Sequence, residues 1–304
     1  MAAPRRLSAL LLVATTLLAS APRLDAQGAA AVPEVLLRLD DVGMNHSVNT
    51  AIARVAATGM PFSVSVMFAC PWYEEAVAIL AKNPQITVGV HLVLNSEWRN
   101  YRWGPVLGKA GVPSLVDSLG YFLPSRGEFL ARKVDMGEVE RELSAQMDRA
   151  MSSGLKIAYV DAHMGTAQST PALREVFERV AKKYGMGISL YFGESYHTMW
   201  GVPVATKKSD FLSYVSKAPA GRTSLVEVHV AERTPEMEAL FDRNAPSQNS
   251  TDGSPLVAMH RQAELDMVLA PEFAEMVRAG KIKLINYRQL IDRAGGASKM
   301  KSPR

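Results

Sequence analysis

Cysteine is almost missing from this sequence. Cys70 is the only one in 304 residues, so no disulfide can close within the chain. Its setting, Met67-Phe68-Ala69 before and Pro71-Trp72 after, reads as a strand end where a small residue is buried rather than as a nucleophile's site. A charge bias is missing as well. The formal net charge is +4, but without Arg5, Arg6, Arg23 and Asp25 of the first 26 residues it is +2. Setting aside Lys299, Lys301 and Arg304 of the polar tail leaves −1, which gives no electrostatic case for nucleic acid. The apolar run from Leu7 to Ala19 is shorter than the roughly 20 residues that span a bilayer. Preceded by Arg5-Arg6 and followed by small residues, it reads as a secretory signal peptide over residues 1–26, cut before Gln27. An exported protein, periplasmic or secreted, is expected, and with no cysteine near the candidate cuts no stable membrane anchor is expected. Also absent are a Gly-x-Ser-x-Gly elbow, a Gly-rich phosphate loop and a His-Glu-x-x-His helix, which argues against serine hydrolases, nucleotide enzymes and zincins.

No internal repeat and no Gly-, Ser- or Pro-rich linker divides the rest, so one domain is expected over residues 27–298, with a basic tail at 299–304. Within it, apolar β-type runs alternate with amphipathic stretches. Strands are expected at 34–39, 62–67, 86–92, 156–160, 187–191, 223–229 and 282–286. Helices are expected at 46–58, 71–82, 136–152, 170–183, 209–217, 258–278 and 287–294, with Pro271 breaking the penultimate one in two. Seven βα units predict an α/β fold on a parallel sheet, either closed as an irregular barrel or open and doubly wound. Two long connections, 93–134 and 230–256, follow strands at their carboxyl ends, where ligand sites lie in such folds. The first carries Trp98, Tyr101, Trp103, Tyr121 and Phe122. These aromatics either stack on sugar rings or pin the loop to the body; the sequence alone leaves both open.

The chain is organised around Val35-Leu36-Leu37-Arg38-Leu39-Asp40-Asp41-Val42-Gly43, an apolar strand ending in two adjacent carboxylates. Alone, this could be a turn whose Asp residues cap the next helix. Three histidines weigh against that: His91, His163 and His229 each close an apolar strand of the same sheet. One carboxylate and two imidazoles leave coordination positions open, as in a catalytic metal site. Asp40 would then take a proton from water, and another histidine would protonate a leaving group. His46, His197 and His260 lack this context. His46 is read as part of the first βα loop or a cap, and His197 as a pocket wall or, the favoured alternative, surface loop.

Taken together, Asp40-Asp41-x-Gly43 with Asn49, Gly89-Val90-His91-Leu92, Asp161-x-His163 and Glu227-x-His229 resemble the YdjC-like carbohydrate deacetylases. That family contains chitooligosaccharide deacetylases and is related to the polysaccharide deacetylases. Ser96-Glu97-Trp98 and Trp103-Gly104-Pro105 resemble one of its subgroups. The resemblance runs from about Val35 to Leu290. It implies a single-domain irregular (β/α) barrel of about seven parallel strands that removes acetyl groups from N-acetylated sugars. It also implies one divalent ion held by Asp41, His91 and His163, with Zn²⁺ or Mg²⁺ first and Mn²⁺, Co²⁺ or Ni²⁺ as alternatives. Asp40 would be the base and His229 the acid. Trp98, Trp103, Asp161 and Arg261 fall on the substrate side, with Arg261-x-x-Glu264 orienting carboxylates. The implied partner is an N-acetylated sugar or oligosaccharide, with monomer and homodimer both open. Many members carry a further histidine at the position of Gly165, so substrate contacts are expected to differ here. Two other readings compete: a metal-free glycoside hydrolase pairing Asp40 with Glu97 or Glu194, and a carbohydrate-binding protein that has lost catalysis.

Overall fold

A computed structural model describes residues 32–244 and 255–302. The expected signal peptide with its cut site, and the last two residues of the tail, lie outside them, as do residues 245–254 of the second long connection. Eight strands form one parallel sheet: β1 Glu34–Val42, β2 Ser63–Val66, β3 Thr87–Leu92, β4 Ile157–Ala162, β5 Gly187–Ile188, β6 Ser195–Thr198, β7 Thr223–Val228 and β8 Lys283–Ile285. Seven run in the order β5-β4-β3-β2-β1-β7-β6, and β8 pairs with β1. β8 and β2 share one edge of β1, at Glu34–Leu36 and from Arg38 onward respectively, while β7 takes the other edge. Among the described residues the end strands β5 and β6 do not pair, so the curled sheet is an incomplete barrel.

The helices are α1 His46–Ala56, α2 Tyr73–Leu80, α3 Gly108–Gly111, α4 Arg126–Leu130, α5 Met136–Ser152, α6 Pro171–Lys183, α7 Lys207–Lys217, α8 Pro235–Glu238, α9 Leu256–Val268, α10 Pro271–Arg278 and α11 Tyr287–Arg293. Pro271 begins α10, as its missing N–H and fixed φ favour at a helix start. The break it was expected to make is there. None of these helices is long and apolar enough to cross a membrane.

Side chains along a strand alternate between faces, and that alternation sorts β1. Val35, Leu37 and Leu39 join the large core beneath the helices, whereas Leu36 joins a smaller cluster with Tyr159, Leu225, Ile285 and Tyr287. The second group plugs the inside of the barrel. Tyr159 and Tyr287 lie 4.2 Å apart there, and Gly89 makes room for them: a Cβ on it would fall 2.4 Å from the Tyr159 ring. Two residues along each strand, the plug gives way to polar groups. Leu36 is followed by Arg38 and Asp40, Gly89 by His91, Tyr159 by Asp161 and His163, and Leu225 by Glu227 and His229. Apart from Asp41, the site residues on these strands therefore continue barrel-facing rows.

β6 was not expected. Ser195-Tyr196-His197-Thr198 is short and polar, without an apolar alternation, and the strand forms because β7 offers it a parallel edge. His197 lies on it, stacked on Tyr214 at 3.8 Å, rather than in a surface loop. Conversely β5 stops after two residues, because Leu190 turns to φ 72° and the Glu194 carboxylate accepts from the Leu190 and Phe192 amides.

At the opposite end of the barrel Glu34 ties three strands together. Its carboxylate accepts from Thr223 Oγ1 at 2.6 Å and pairs with Arg293 at 2.7 Å and Lys283 at 3.0 Å. Burial alone would raise its pKa, but the bonds from Arg293, Thr223 and Lys283 outweigh it and hold the carboxyl at about 2. A depressed carboxylate stabilises the fold above its unfolded pKa and loses that contribution as pH falls towards the folded one. Stability should therefore fall between about pH 4.5 and 2. In denaturant titrations Glu34→Gln should flatten that slope by about 1 kcal/mol after solvent screening. An unchanged slope would show that the pair contributes nothing.

Candidate active site

The rim of the barrel is built on a local irregularity. The pairing of β1 with β2 shifts register between Leu39 and Val42, and Asp41 adopts φ 60°. Such a bulge re-aims side chains, and Asp tolerates the left-handed region better than most residues. As a result Asp40 and Asp41, which regular strand geometry would send to opposite faces, both line one cavity of about 580 Å³. Asn49 fixes the turn that follows: its Oδ1 accepts from the Gly43 amide at 2.9 Å and its amide donates to Trp72 O. Asn45 caps α1, so His46 is the first helical residue and pairs with Glu75 on the surface.

Asp41 Oδ1, His91 Nε2 and His163 Nδ1 converge. The separations are 3.4 Å from Asp41 to His91, 3.3 Å from Asp41 to His163 and 3.2 Å between the two ring nitrogens. Asp41 Oδ1 is buried without a hydrogen-bond partner. An ion bound at about 2.0–2.1 Å by tetrahedral ligands sets those ligands about 3.3 Å apart, so the set fits a small divalent cation. Each ring is aimed from behind. Asp161 Oδ1 sits 3.0 Å from His91 Nδ1, and Glu97 Oε2 sits 2.9 Å from His163 Nε2. Carboxylates in such positions fix the tautomer that leaves the other nitrogen free to ligate. Burial pulls both histidines' pKa down, but the carboxylates win: Asp161 and Asp40 carry His91 well up, and Glu97 and Asp41 carry His163 up to about 9. The surroundings therefore demand positive charge, which a metal supplies on displacing the protons.

Two other donor groups lie close together, Asp40 with His91 and Asp161, and Asp40 with Glu227 and His229. Both share Asp40, whose two oxygens are already taken by Arg38 at 2.7 Å each. The same guanidinium pairs with Glu227 at 2.6 Å and Asp161 at 3.1 Å and donates to Ser189 at 2.7 Å. A cation there would compete with a buried arginine, so the Asp41 set is the one that fits. Burial and Asp161 push the Asp40 pKa up against the pull of Arg38. Burial would likewise raise Asp41, but the Arg261 guanidinium, donating to its Oδ2 at 2.6 Å, holds it well below the usual range.

The structure separates the residues assigned to the substrate side. Asp161 and Arg261 bear on the rim, although both are engaged with site residues. Trp98 and Trp103 are enclosed by protein, with 0% and 4% exposure, so neither offers a face to a sugar. Trp98 packs behind Arg261, and Trp103 donates to Asn95 O at 2.8 Å with its edge towards His163. They pin the loop. The aromatic groups that do line the cavity are Tyr196 and Trp200, on the β6 side. Glu264 does not pair with Arg261; it accepts from the His229 amide and from the buried Lys207, and so places His229. His229 lines the cavity with Nδ1 unpartnered, and burial lowers its pKa to about 4.

Glu194 is spent on backbone amides and Glu97 on His163, so neither pairs freely with Asp40 as a second glycosidase carboxyl would. Arg38 is the main residue that the sequence analysis left without a role. Its signal was there: an arginine inside an apolar strand, two residues before Asp40 and hence on the same face.

Fold and site together define a class, an incomplete parallel α/β barrel with, on its carboxyl rim, an Asp/His cluster whose geometry fits a divalent cation. The chain belongs to the YdjC-like family, whose model matches residues 34–279. It is 30% identical over 265 residues to the carbohydrate deacetylase of Geobacillus stearothermophilus, covering 84% of this chain and 96% of that one. To the carbohydrate deacetylase of Brevibacillus brevis it is 26% identical, covering 84% and 99%. In structure it resembles an Enterococcus faecalis protein provisionally named a cellobiose-phosphate cleavage protein, with a TM-score of 0.65 at 21% identity over 86% of this chain and 99% of that one. At that identity the likeness concerns the fold.

Proposed function

We propose that the protein is a metal-dependent carbohydrate deacetylase that hydrolyses the acetamide of an N-acetylated sugar. The observation that carries this reading is the convergence of Asp41, His91 and His163 around a partnerless carboxylate oxygen, beside a separately anchored Asp40. The relatives' names support the same chemistry. Asp41 Oδ1, His91 Nε2 and His163 Nδ1 would hold the ion; when bound, it would polarise the acetyl carbonyl and ease deprotonation of water. Arg38 keeps Asp40 in one orientation, from which it takes the proton of the attacking water. His229 gives a proton to the departing nitrogen. With a pKa of about 4 it is neutral near pH 7 in the free protein, so it must be charged in the complex, as negative charge develops on the acetyl oxygen. Donor atoms of Asp40, Glu227 and His229 lie within 4.8 Å of one another. The proton removed from water thus has a short path to the acid, and the sum is water plus amide giving acetate plus amine.

The signal-peptide character of residues 1–26 supports action outside the cytoplasm, and N-terminal sequencing of the exported protein should begin at Gln27; cytoplasmic protein with Met1 intact would contradict it. For the activity, N-acetylglucosamine oligomers incubated with the protein should yield acetate and free amine in equal amounts. Chelation should abolish this, and added Zn²⁺, Mn²⁺ or Co²⁺ should restore it. Acetate release that survives complete metal removal would defeat the metal-dependent reading, and reducing-end formation without acetate would favour a glycosidase.

A further inference from the structure

Beneath the rim, the barrel interior pairs serine with tyrosine twice, Ser65 with Tyr159 and Ser189 with Tyr287. The first pair is built by register. Ser65, Gly89 and Tyr159 sit side by side on β2, β3 and β4. Because Gly89 has no side chain, the Tyr159 ring lies over β3 at that position, and its hydroxyl reaches Ser65 Oγ at 3.0 Å. Ser65 Oγ is also 3.0 Å from Asp161 Oδ2. Ser65, Tyr159 and Asp161 are all buried.

Counting protons gives these bonds a direction. A hydroxyl has one proton to give, and a carboxylate only accepts. Asp161 meets the Arg38 guanidinium at 3.1 Å on Oδ2 and the His91 ring at 3.0 Å on Oδ1, so it stands as a carboxylate. Ser65 must therefore give its proton to Asp161 and accept from Tyr159. Burial, and after it the Asp161 charge, push the Tyr159 pKa well up, so that hydroxyl keeps the proton it donates. The chain runs one way, from Tyr159 through Ser65 and Asp161 to His91 Nδ1, and it leaves His91 Nε2 facing Asp41. Ser65 also settles a competition. Without its bond, Asp161 Oδ2 answers to Arg38 alone, and the carboxylate can swing towards the guanidinium and away from His91. The second pair bears on a different group: Ser189 accepts from Arg38 Nη1 at 2.7 Å and lies 2.5 Å from the Tyr287 hydroxyl.

We infer that Ser65, held by Tyr159 across Gly89, is a positioning residue for His91: it pins the Asp161 carboxylate so that Oδ1 stays on His91 Nδ1 and Nε2 stays aimed at the ion. This rests on the metal-dependent reading of the site. The test is the Zn²⁺ dissociation constant of the full chain, measured by competition with a chromophoric chelator. Ser65→Ala should weaken binding by about tenfold, the lower end of losses for groups behind a metal ligand. Tyr159→Phe should weaken it by about threefold, since Ser65 keeps its proton for Asp161 but loses the partner that fixes its rotamer. Ser189→Ala, which deletes the same group beside Arg38, should keep the wild-type affinity. Wild-type affinity in Ser65→Ala overturns the inference, and so does an equal loss in Ser189→Ala, which would mark a general loosening of the barrel. If Ser65→Ala does not fold, Tyr159→Phe decides, and wild-type affinity there overturns the inference. Should the wild type bind no divalent ion, the metal-dependent reading itself fails. Solvent exchange of the His91 Nδ1 proton, followed by NMR in ion-free protein, then decides the role of Ser65. The rate should rise about tenfold in Ser65→Ala and hold in Ser189→Ala; an unchanged rate in Ser65→Ala overturns the inference.

Discussion

Asp40→Asn should lose about 10²–10⁴-fold in turnover, the range of a general base, while binding the divalent ion as wild type does. The amide that replaces the carboxylate cannot take a proton from the attacking water. The ion should be unaffected because its proposed ligand is Asp41, which the bulge in β1 brings to the same cavity as Asp40. Some loss of stability is expected, since Arg38 Nε and Nη2 both donate to Asp40 and an asparagine can accept only one of those bonds. That cost should be about 1–3 kcal/mol, the range for a buried donor left unsatisfied, because Asp161 and Glu227 still face the guanidinium. Paired measurement of kcat and metal affinity checks this. Near wild-type turnover in the folded, metal-loaded variant would remove Asp40 from the mechanism.

Asp41→Asn should lose metal and activity together, and should lose far more stability. Arg261 is 1% exposed, and its Nε and Nη1 have no hydrogen-bond partner, so Asp41 is the anion that offsets its buried charge. Removing one partner of such a pair costs about 3–5 kcal/mol. In the wild type, saturating the site with ion at a hundred times its Kd should add about 2.7 kcal/mol of stability, seen as a rise in Tm. In Asp41→Asn that rise should vanish. The contrast separates the two neighbours: one substitution stops chemistry with metal in place, and the other stops chemistry by losing it.

Much of this was readable in the chain. The βα alternation predicts the parallel sheet, because buried strands such as Val35–Leu39, broken only by Arg38, read as near-continuous apolar runs. Strand-end placement of Asp41, His91, His163 and His229 predicts a common rim. What eluded the sequence needed either register or packing. Arg38 pairs with Asp161 and Glu227 only because β1 sits beside β7 and, through the curl of the sheet, within reach of β4, three positions away along it. Trp98 and Trp103 looked like sugar platforms by residue type, yet burial behind Arg261 and His163 makes them supports. Tyr196 and Trp200 reach the cavity through β6, a strand too short and polar to announce itself. Arg261-x-x-Glu264 was expected to orient carboxylates, but a helix places residues three apart on one face without deciding which partner each one meets. Arg261 turned to Asp41 and Glu264 to the His229 amide.

The central claim is that a divalent ion sits among Asp41, His91 and His163. Anomalous diffraction at the zinc edge, on crystals of active, metal-loaded protein, tests it most directly. The account predicts a single strong peak at about 2.0–2.2 Å from Asp41 Oδ1, His91 Nε2 and His163 Nδ1. A peak instead among Asp40, Glu227 and His229, or none in protein that still releases acetate, would contradict it.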